Sequence, residues 1–430
     1  MLRTHIPAAV AAAIVTTAIT TPVNAGPLTP PPGAPAPTNK TLNEVEPRTP
    51  INADTAPASA SASHVISTPG TYYLTANITA DQNKSAIEIN ADDVILDLNG
   101  FELRGLGTFT TVSVNGVTAN ARATIRNGLI RDFTQHAIQG TAQDLLIEGV
   151  TVRGGGSGIL ASQSARVLRC AVYNTGGTGI TAGNSSVIEG SIAKSNAFNG
   201  IDVATECIVR ACVAEVNGGD GIETGQQAVI QGCRSSGNAG LGIDVEFASM
   251  VFETTSNGNL VGFDGFANCF FHRCHAANNT SGGFDVTTAS HIHLCVASNN
   301  TGFGFDLNNA TITESVARIN TFSGIAAQGS STVRDCVVFQ NDTLAGTLGG
   351  IRATGSGNLI EHNVSRNNNG FGIVASGTGN TVVRNWCYDN FGGGYNVPAG
   401  NAFGPIVNIS AGGNLAGVAF ADHHLANFQN

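Results

Sequence analysis

The stretch Gly200-Ile201-Asp202-Val203-Ala204-Thr205-Glu206-Cys207-Ile208-Val209-Arg210-Ala211-Cys212-Val213-Ala214-Glu215-Val216-Asn217 holds three short runs of alternating character. The next coil-length of chain, opening at Gly221-Ile222-Glu223-Thr224 and closing at Asn238, has the same grammar. Alternation over a few residues predicts a strand with one face buried. Three such strands every ~21 residues predict a parallel β-solenoid, in which each unit buries its apolar face against the next.

Working outward, the leading position recurs as Gly116, Ala137, Gly158, Gly179, Gly200, Gly221, Gly242, Gly262, Gly283, Gly304, Gly324, Gly350 and Gly372, and Gly394 continues it. These thirteen markers predict about 13 coils. No segment after residue 64 sustains a 3.6-residue apolar period, and no Leu-x-x-Leu-x-Leu pattern appears, so a leucine-rich repeat is excluded. The fold class expected is all-β, a right-handed parallel β-helix.

Stacking coils about 4.8 Å apart turns equivalent residues into columns. One reads Cys170, Ser191, Cys212, Cys233, Thr254, Cys274, Cys295, Ser315, Cys336, Asn363, Asn385. Small side chains of this kind suit a narrow interior. A turn column of Asn196, Asn217, Asn238, Asn259, Asn279, Asn300, Asn320, Asn341, Asn368 and Asn390 suits amides that hydrogen-bond along the pile and residues that tolerate left-handed geometry. Nine cysteines make an odd number. Cys212/Cys233 and Cys274/Cys295 stand on adjacent coils, but with side chains pointing the same way, so buried, inert thiols are expected. Phe263, Phe284 and Phe305 are expected to stack inside the core.

The chain of 430 residues has 12% charged residues, well below the ~25% of an ordinary soluble domain, and carries 20 Lys+Arg against 30 Asp+Glu for a net −10. That balance argues against electrostatic binding to nucleic acid. Residues 1–25 read as a secretory signal peptide: Arg3, an apolar run from Ala8 to Ile19, then Val23-Asn24-Ala25. The run is too short to span a bilayer, and no later stretch does so. Residues 26–63 read as a Pro/Ala-rich spacer, 64–397 as the β-helix and 398–430 as a C-terminal cap. A secreted or otherwise extracytoplasmic location follows.

The opening segment Thr68-Pro69-Gly70-Thr71-Tyr72-Tyr73-Leu74 with Val94-Ile95-Leu96-Asp97-Leu98-Asn99-Gly100 resembles that of secreted bacterial right-handed β-helix repeat proteins. They share the fold of pectate lyases, polygalacturonases, polysaccharide epimerases and phage tailspikes. The resemblance covers about residues 64–397 and implies a polysaccharide partner. It brings no catalytic residue with it. Arg-x-Pro-x-x-Arg, Trp-Ile-Asp-His, Gly-His-Gly, Arg-Ile-Lys and Asp-Pro-His-Glu, the runs those enzymes use, are all missing.

Two columns carry chemistry. Asp202, Glu223, Asp244, Asp264, Asp285 and Asp306 follow the marker in six consecutive coils. Neighbours ~5 Å apart repel by about 1 kcal/mol even in water-like dielectric. Bound cations such as Ca²⁺, raised pKa values or a cationic partner would offset this. Paired carboxylates also suit acid/base cleavage of glycosidic bonds. The plainer alternative is a solvated acidic face. The second column holds His272 and His293 with Arg210 and Arg334, and His275 lies on the next strand. Imidazoles there suit metal binding or proton transfer. The catalytic candidates are Asp244, Asp264, Asp285, His272 and His293, with Asp306 beside them. The expansion at Asn341-Asp342-Thr343-Leu344-Ala345-Gly346-Thr347 predicts a longer loop near the acidic column. Asp422-His423-His424 falls in the tail. The function expected is binding or organising of extracellular polysaccharide; the alternative is a polysaccharide lyase, hydrolase or epimerase.

Overall fold

A computed structural model describes residues 47–107, 112–344, 346, 348–409, 419 and 421–430. The expected signal peptide and most of the expected spacer lie outside the described residues. From Arg48 onward the chain forms one compact unit. It is an all-β solenoid in which every pairing is parallel. Each coil places one strand in a first sheet, turns through about four residues into a second ladder, bends sharply, and runs through a third ladder. For the coil quoted above these strands are Ile201–Val203, Ile208–Arg210 and Val213–Glu215.

The first sheet has 16 strands, from Ala62–Ile66 to Gly393–Asn396, against the 13 coils expected. Gly394 marks one extra coil. The other two are the opening coils, whose register puts Ser63 and Ala86 where later coils have Gly. Their pairing partners also stand 23 and 30 residues apart, as in His64↔Ile87 and Ile87↔Val117, which hides the period. Before them, Thr49–Pro50 pairs with Gly70–Tyr73. At the far end Ile406–Asn408 and Asn427–Gln429 close the third ladder.

The marker glycine has a steric cause. A Cβ on Gly200 would stand 2.6 Å from Asn217 Nδ2 and 2.7 Å from the Gly221 carbonyl oxygen. The amide column therefore occupies the volume that a larger marker residue would need. Ala137 is tolerated in a coil that closes through Gly154-Gly155, where no Asn intrudes.

The Asn column forms a continuous ladder. In nearly every step the side-chain and backbone N–H groups of one Asn both donate to Oδ1 of the next. Asn217 Nδ2 and N each reach Asn238 Oδ1 at 2.9 Å, and Asn300 Nδ2 reaches Asn320 Oδ1 at 2.9 Å. The expectation that these Asn residues adopt left-handed geometry is corrected. The left-handed residue is the one before, including Val216 (φ 56°) and Ile319 (φ 54°), so chain closure selects the conformation whatever the side chain. A second left-handed column turns the corner between ladders two and three, through Ala211, Glu253, Arg273 and Leu294.

The interior holds one apolar cluster running the length of the solenoid. Phe263, Phe284 and Phe305 stack as expected, with ring centroids 4.6 and 4.8 Å apart. Phe271 packs edge-on against Phe263 and Phe284, 5.9 Å away in each case. It takes the place of the smaller inward residue of other coils, and Gly265 stands opposite in compensation: a Cβ there would lie 2.7 Å from the Phe271 ring. All nine cysteines are buried and free. Burial pushes the Cys170 thiol up to about 11 and those of Cys336 and Cys387 up to about 12.

Candidate functional site

The six acids stand in register on the outer surface of the first sheet: Asp202↔Glu223↔Asp244↔Asp264↔Asp285↔Asp306. Each occupies the central, outward position of its strand because the residues on both sides, such as Ile243 and Val245, are committed to the core. The column continues as Ala326 and Arg352.

Partial burial is the first cause that raises every carboxyl in the column above the usual range, and like charge adds to it in all but Asp306. Asp244 rises to about 7, with Asp264, Asp220, Glu223 and Glu246 as its charged neighbours. Asp285 rises to about 6 between Asp264 and Asp306. Asp202, Glu223 and Asp264 also rise. Asp306 rises less freely, because Gln328 Nε2 donates to its Oδ1 at 2.7 Å and Arg352 lies along the column. Asn199 Nδ2 donates to Glu223. All six shifts run in the direction that lowers the charge of the stack. Among the described residues no group of three or more His, Cys, Asp or Glu side chains could hold a metal ion.

The strip has an apolar border. On the turns leading into the first sheet, Phe303 and Phe322 meet edge to face with centroids 5.4 Å apart. Together with Asp285, Asp306 and Val261 they line a cavity of about 250 Å³. The longer loop lies on the same side: Asp342 N–H donates to the Phe322 carbonyl oxygen at 2.8 Å. Asp342 itself is fully buried, and its Oδ2 accepts the N–H groups of Leu348 and Gly349 at 2.8 and 3.0 Å. Ala345 and Thr347 of that loop lie outside the described residues. On the opposite border Phe247 and Phe266 are 41% and 61% exposed. Sequence reading missed these rings because they fall in turns, off the repeating columns; an unusual density of Phe at turn positions was the available signal.

The histidines belong to other surfaces. His272 and His293 pair on the second ladder, rings stacked with centroids 5.2 Å apart. Phe252 and Phe270 flank them at 6.4 and 5.9 Å from His272. His291 Nε2 and His293 Nδ1 both address Thr313 Oγ1, at 3.3 and 3.0 Å. Burial lowers the pKa of His272 and of His291, which favours the neutral rings. Arg210 and Arg334 stand further along the same column and pair with Glu189 and Glu361 at 2.7 Å. His275 is on the third ladder, its Nε2 3.0 Å from Ser298 Oγ. The structure therefore brings the acids together and the imidazoles together, each on its own sheet. The cavity beside Asp285 and Asp306 contains no histidine. In the tail, His423 and His424 stack at 4.9 Å, and Leu425 N–H donates to His423 Nδ1.

No family profile and no curated protein matches the sequence. Among solved structures, the chain is similar to the A-module of the mannuronan C-5 epimerase AlgE4 of Azotobacter vinelandii. That match has 13% identity and a TM-score of 0.39, covering 78% of this chain and 91% of that one. The periplasmic alginate epimerase AlgG gives 11% identity and a TM-score of 0.37, covering 81% of this chain and 82% of that one. Pectate lyase Pel9A gives 16% and 0.28, with 60% and 72% covered. These likenesses concern the fold alone.

Proposed function

We propose that this protein binds polysaccharide outside the cytoplasm, along the outer face of its first sheet. One observation carries the reading: an in-register strip of six carboxyls bordered by Phe303, Phe322, Phe247 and Phe266. Pyranose rings present apolar C–H faces and a rim of hydroxyls, so rings at the border and hydrogen-bonding acids on the floor suit a sugar chain laid along the solenoid. A floor of carboxyls with raised pKa values, part protonated and part ionised, both donates and accepts. It repels uronate polymers and favours neutral or amino-sugar chains.

The experiment is retention of the full chain on gels or beads loaded with neutral, amino-sugar and acidic polysaccharides, with calcium or with EDTA. Retention by the first two classes, reduced by Phe303→Ala, is expected. No retention by any polymer refutes binding.

A second reading is favoured by the carboxyl of Asp244 near 7 and that of Asp285 near 6, which are suited to general acid work near neutral pH. On this reading Asp244, Asp264 or Asp285 protonates a glycosidic oxygen. Mass spectrometry of the same incubations, with proton NMR of the polymers to detect mass-neutral epimerisation, distinguishes the two: new oligosaccharides or epimerised residues that vanish with Asp244→Asn or Asp285→Asn establish an enzyme, and polymers unchanged by both leave a binding protein.

A further inference from the structure

The third ladder carries a concavity that the first-sheet reading does not use. Along one outward column the long side chains of Tyr173, Lys194 and Glu215 give way to Ser236, Asn257 and Ala277, and length returns at Arg318. The missing volume is a cavity of about 480 Å³, walled by Glu215, Arg234, Thr255 and His275 over a floor of Ser236 and Asn257.

Unlike the acidic strip, its edge carries more cations than acids. Glu215 meets Lys194 at 3.2 Å and Arg234 at 3.4 Å, one carboxylate for two cations. The Arg234 guanidinium stays about half exposed, 55% of its side chain open to solvent, with donors to spare. Arg318 lies beyond and, after burial, helps hold His275 neutral. Ser236 Oγ is buried and has no hydrogen-bond partner. Rotation about χ1 would bring this hydroxyl to the cavity surface, where a ligand hydroxyl or carboxylate would recover the free energy that its unpaired state costs.

We propose that this cavity binds a carboxylate-bearing saccharide. The guanidinium fork of Arg234 takes the carboxylate in two parallel hydrogen bonds, the geometry that guanidinium and carboxylate share. Ser236, Thr255 and Asn257 take ring hydroxyls. The uncharged polar groups beside Arg234 select a sugar acid over a bare anion, and the volume admits more than one ring. This site is independent of the first sheet, whose charge repels the same ligand.

The test is calorimetric titration of the full chain with trigalacturonate, with maltotriose as the uncharged comparator, at 50 and 500 mM salt. Saturable binding of trigalacturonate, weaker at high salt and absent for maltotriose, is expected. Arg234→Gln should weaken it about tenfold or more, the usual cost of losing a charge-assisted pair. Arg234→Lys should fall between, keeping charge and losing the fork, and Ser236→Ala should weaken it less. Arg273→Gln, at an exposed corner beside Glu253, serves as the control and should bind as the parent does. Thermal midpoints of the variants, expected to match the parent, exclude unfolding as the cause. Absence of saturable trigalacturonate binding, equal binding of maltotriose, or an Arg234→Gln variant that binds as the parent does overturns the proposal.

Discussion

Replacing Asp244 by Asn should make the protein more stable at pH 8 and leave it little changed at pH 5. Asp244 has Glu223 and Asp264 as in-register neighbours, one coil away on each side. At a coil spacing of ~5 Å each ionised neighbour costs about 0.8 kcal/mol in a water-like dielectric, so removing the charge returns about 1.5 kcal/mol. The shift of the Asp244 carboxyl to about 7 taken at face value gives a larger figure. That residue is partly open to solvent, however, and screening reduces the yield to the same 1–2 kcal/mol.

The sign follows from proton uptake. The folded carboxyl has a raised pKa, so between about pH 4 and pH 7 the native state binds more protons than the unfolded chain. Stability therefore falls as pH rises through that window. Asn cannot ionise, and the variant escapes the fall. Thermal unfolding followed by circular dichroism at pH 5 and pH 8, in low salt, measures the difference. A gain of about 2 °C is expected at pH 8 if a solenoid of this size melts as one unit, shrinking at pH 5 and in 1 M salt. Equal shifts at both pH values, or a loss at pH 8, would refute the reasoning. A loss at pH 8 would mean that the Asp244 charge is held by a cation rather than opposed by its neighbours; equal shifts would mean that the effect does not come from that charge.

Other outcomes follow from the same geometry. Gly242→Ala should cost several kcal/mol or prevent folding, because the added Cβ would lie 2.6 Å from Asn259 Nδ2 and still closer to Ser256 Oγ; soluble yield and denaturant midpoint report it. Asn238→Ala should cost roughly 2–4 kcal/mol. It strips the acceptor from two donors of Asn217, and hydrogen exchange should rise first in the coils on either side. Phe303→Ala and Phe322→Ala should weaken retention on polysaccharide while leaving the thermal midpoint within a degree or two of the parent. The nine buried thiols should be silent towards a thiol reagent in the native protein and all react after denaturation.

The sequence disclosed the solenoid, and did so through its interior. A Gly followed by two inward apolar residues is demanded afresh in every coil, so Gly200-Ile201-Asp202-Val203 repeats and can be counted. The opening coils were illegible for the converse reason: Ser63 and Ala86 satisfy the same steric limit without the marker. The acidic column was legible because outward positions inherit the inward period. Its apolar border was not, since Phe303 and Phe322 sit in turns whose lengths vary. The left-handed residues could be read only in part from side-chain preference: Gly237, Gly258, Asn278, Asn299, Asn367 and Asp389 are types that favour that geometry, whereas Val216 and Ile319 are poor candidates by type and are placed there by closure of the coil. Nor could the concavity on the third ladder be seen. It arises from side chains that shorten from coil to coil along one column, which becomes a shape only once the coils are stacked.

The amide ladder has a direction. Every Asn from Asn196 onward offers its Oδ1 to the coil before it and its N–H groups to the coil after or to nearby backbone carbonyls. A whole coil can therefore be inserted or deleted with both neighbours still finding the partner they need, whereas a shift of one residue breaks the column at once. The chain behaves as a ruler whose smallest division is one coil, about 4.8 Å. The acidic strip spans five divisions, about 24 Å. Adding or removing whole coils would lengthen or shorten the strip by that fixed step, which makes its reach along a polymer a property that gene duplication alone can set.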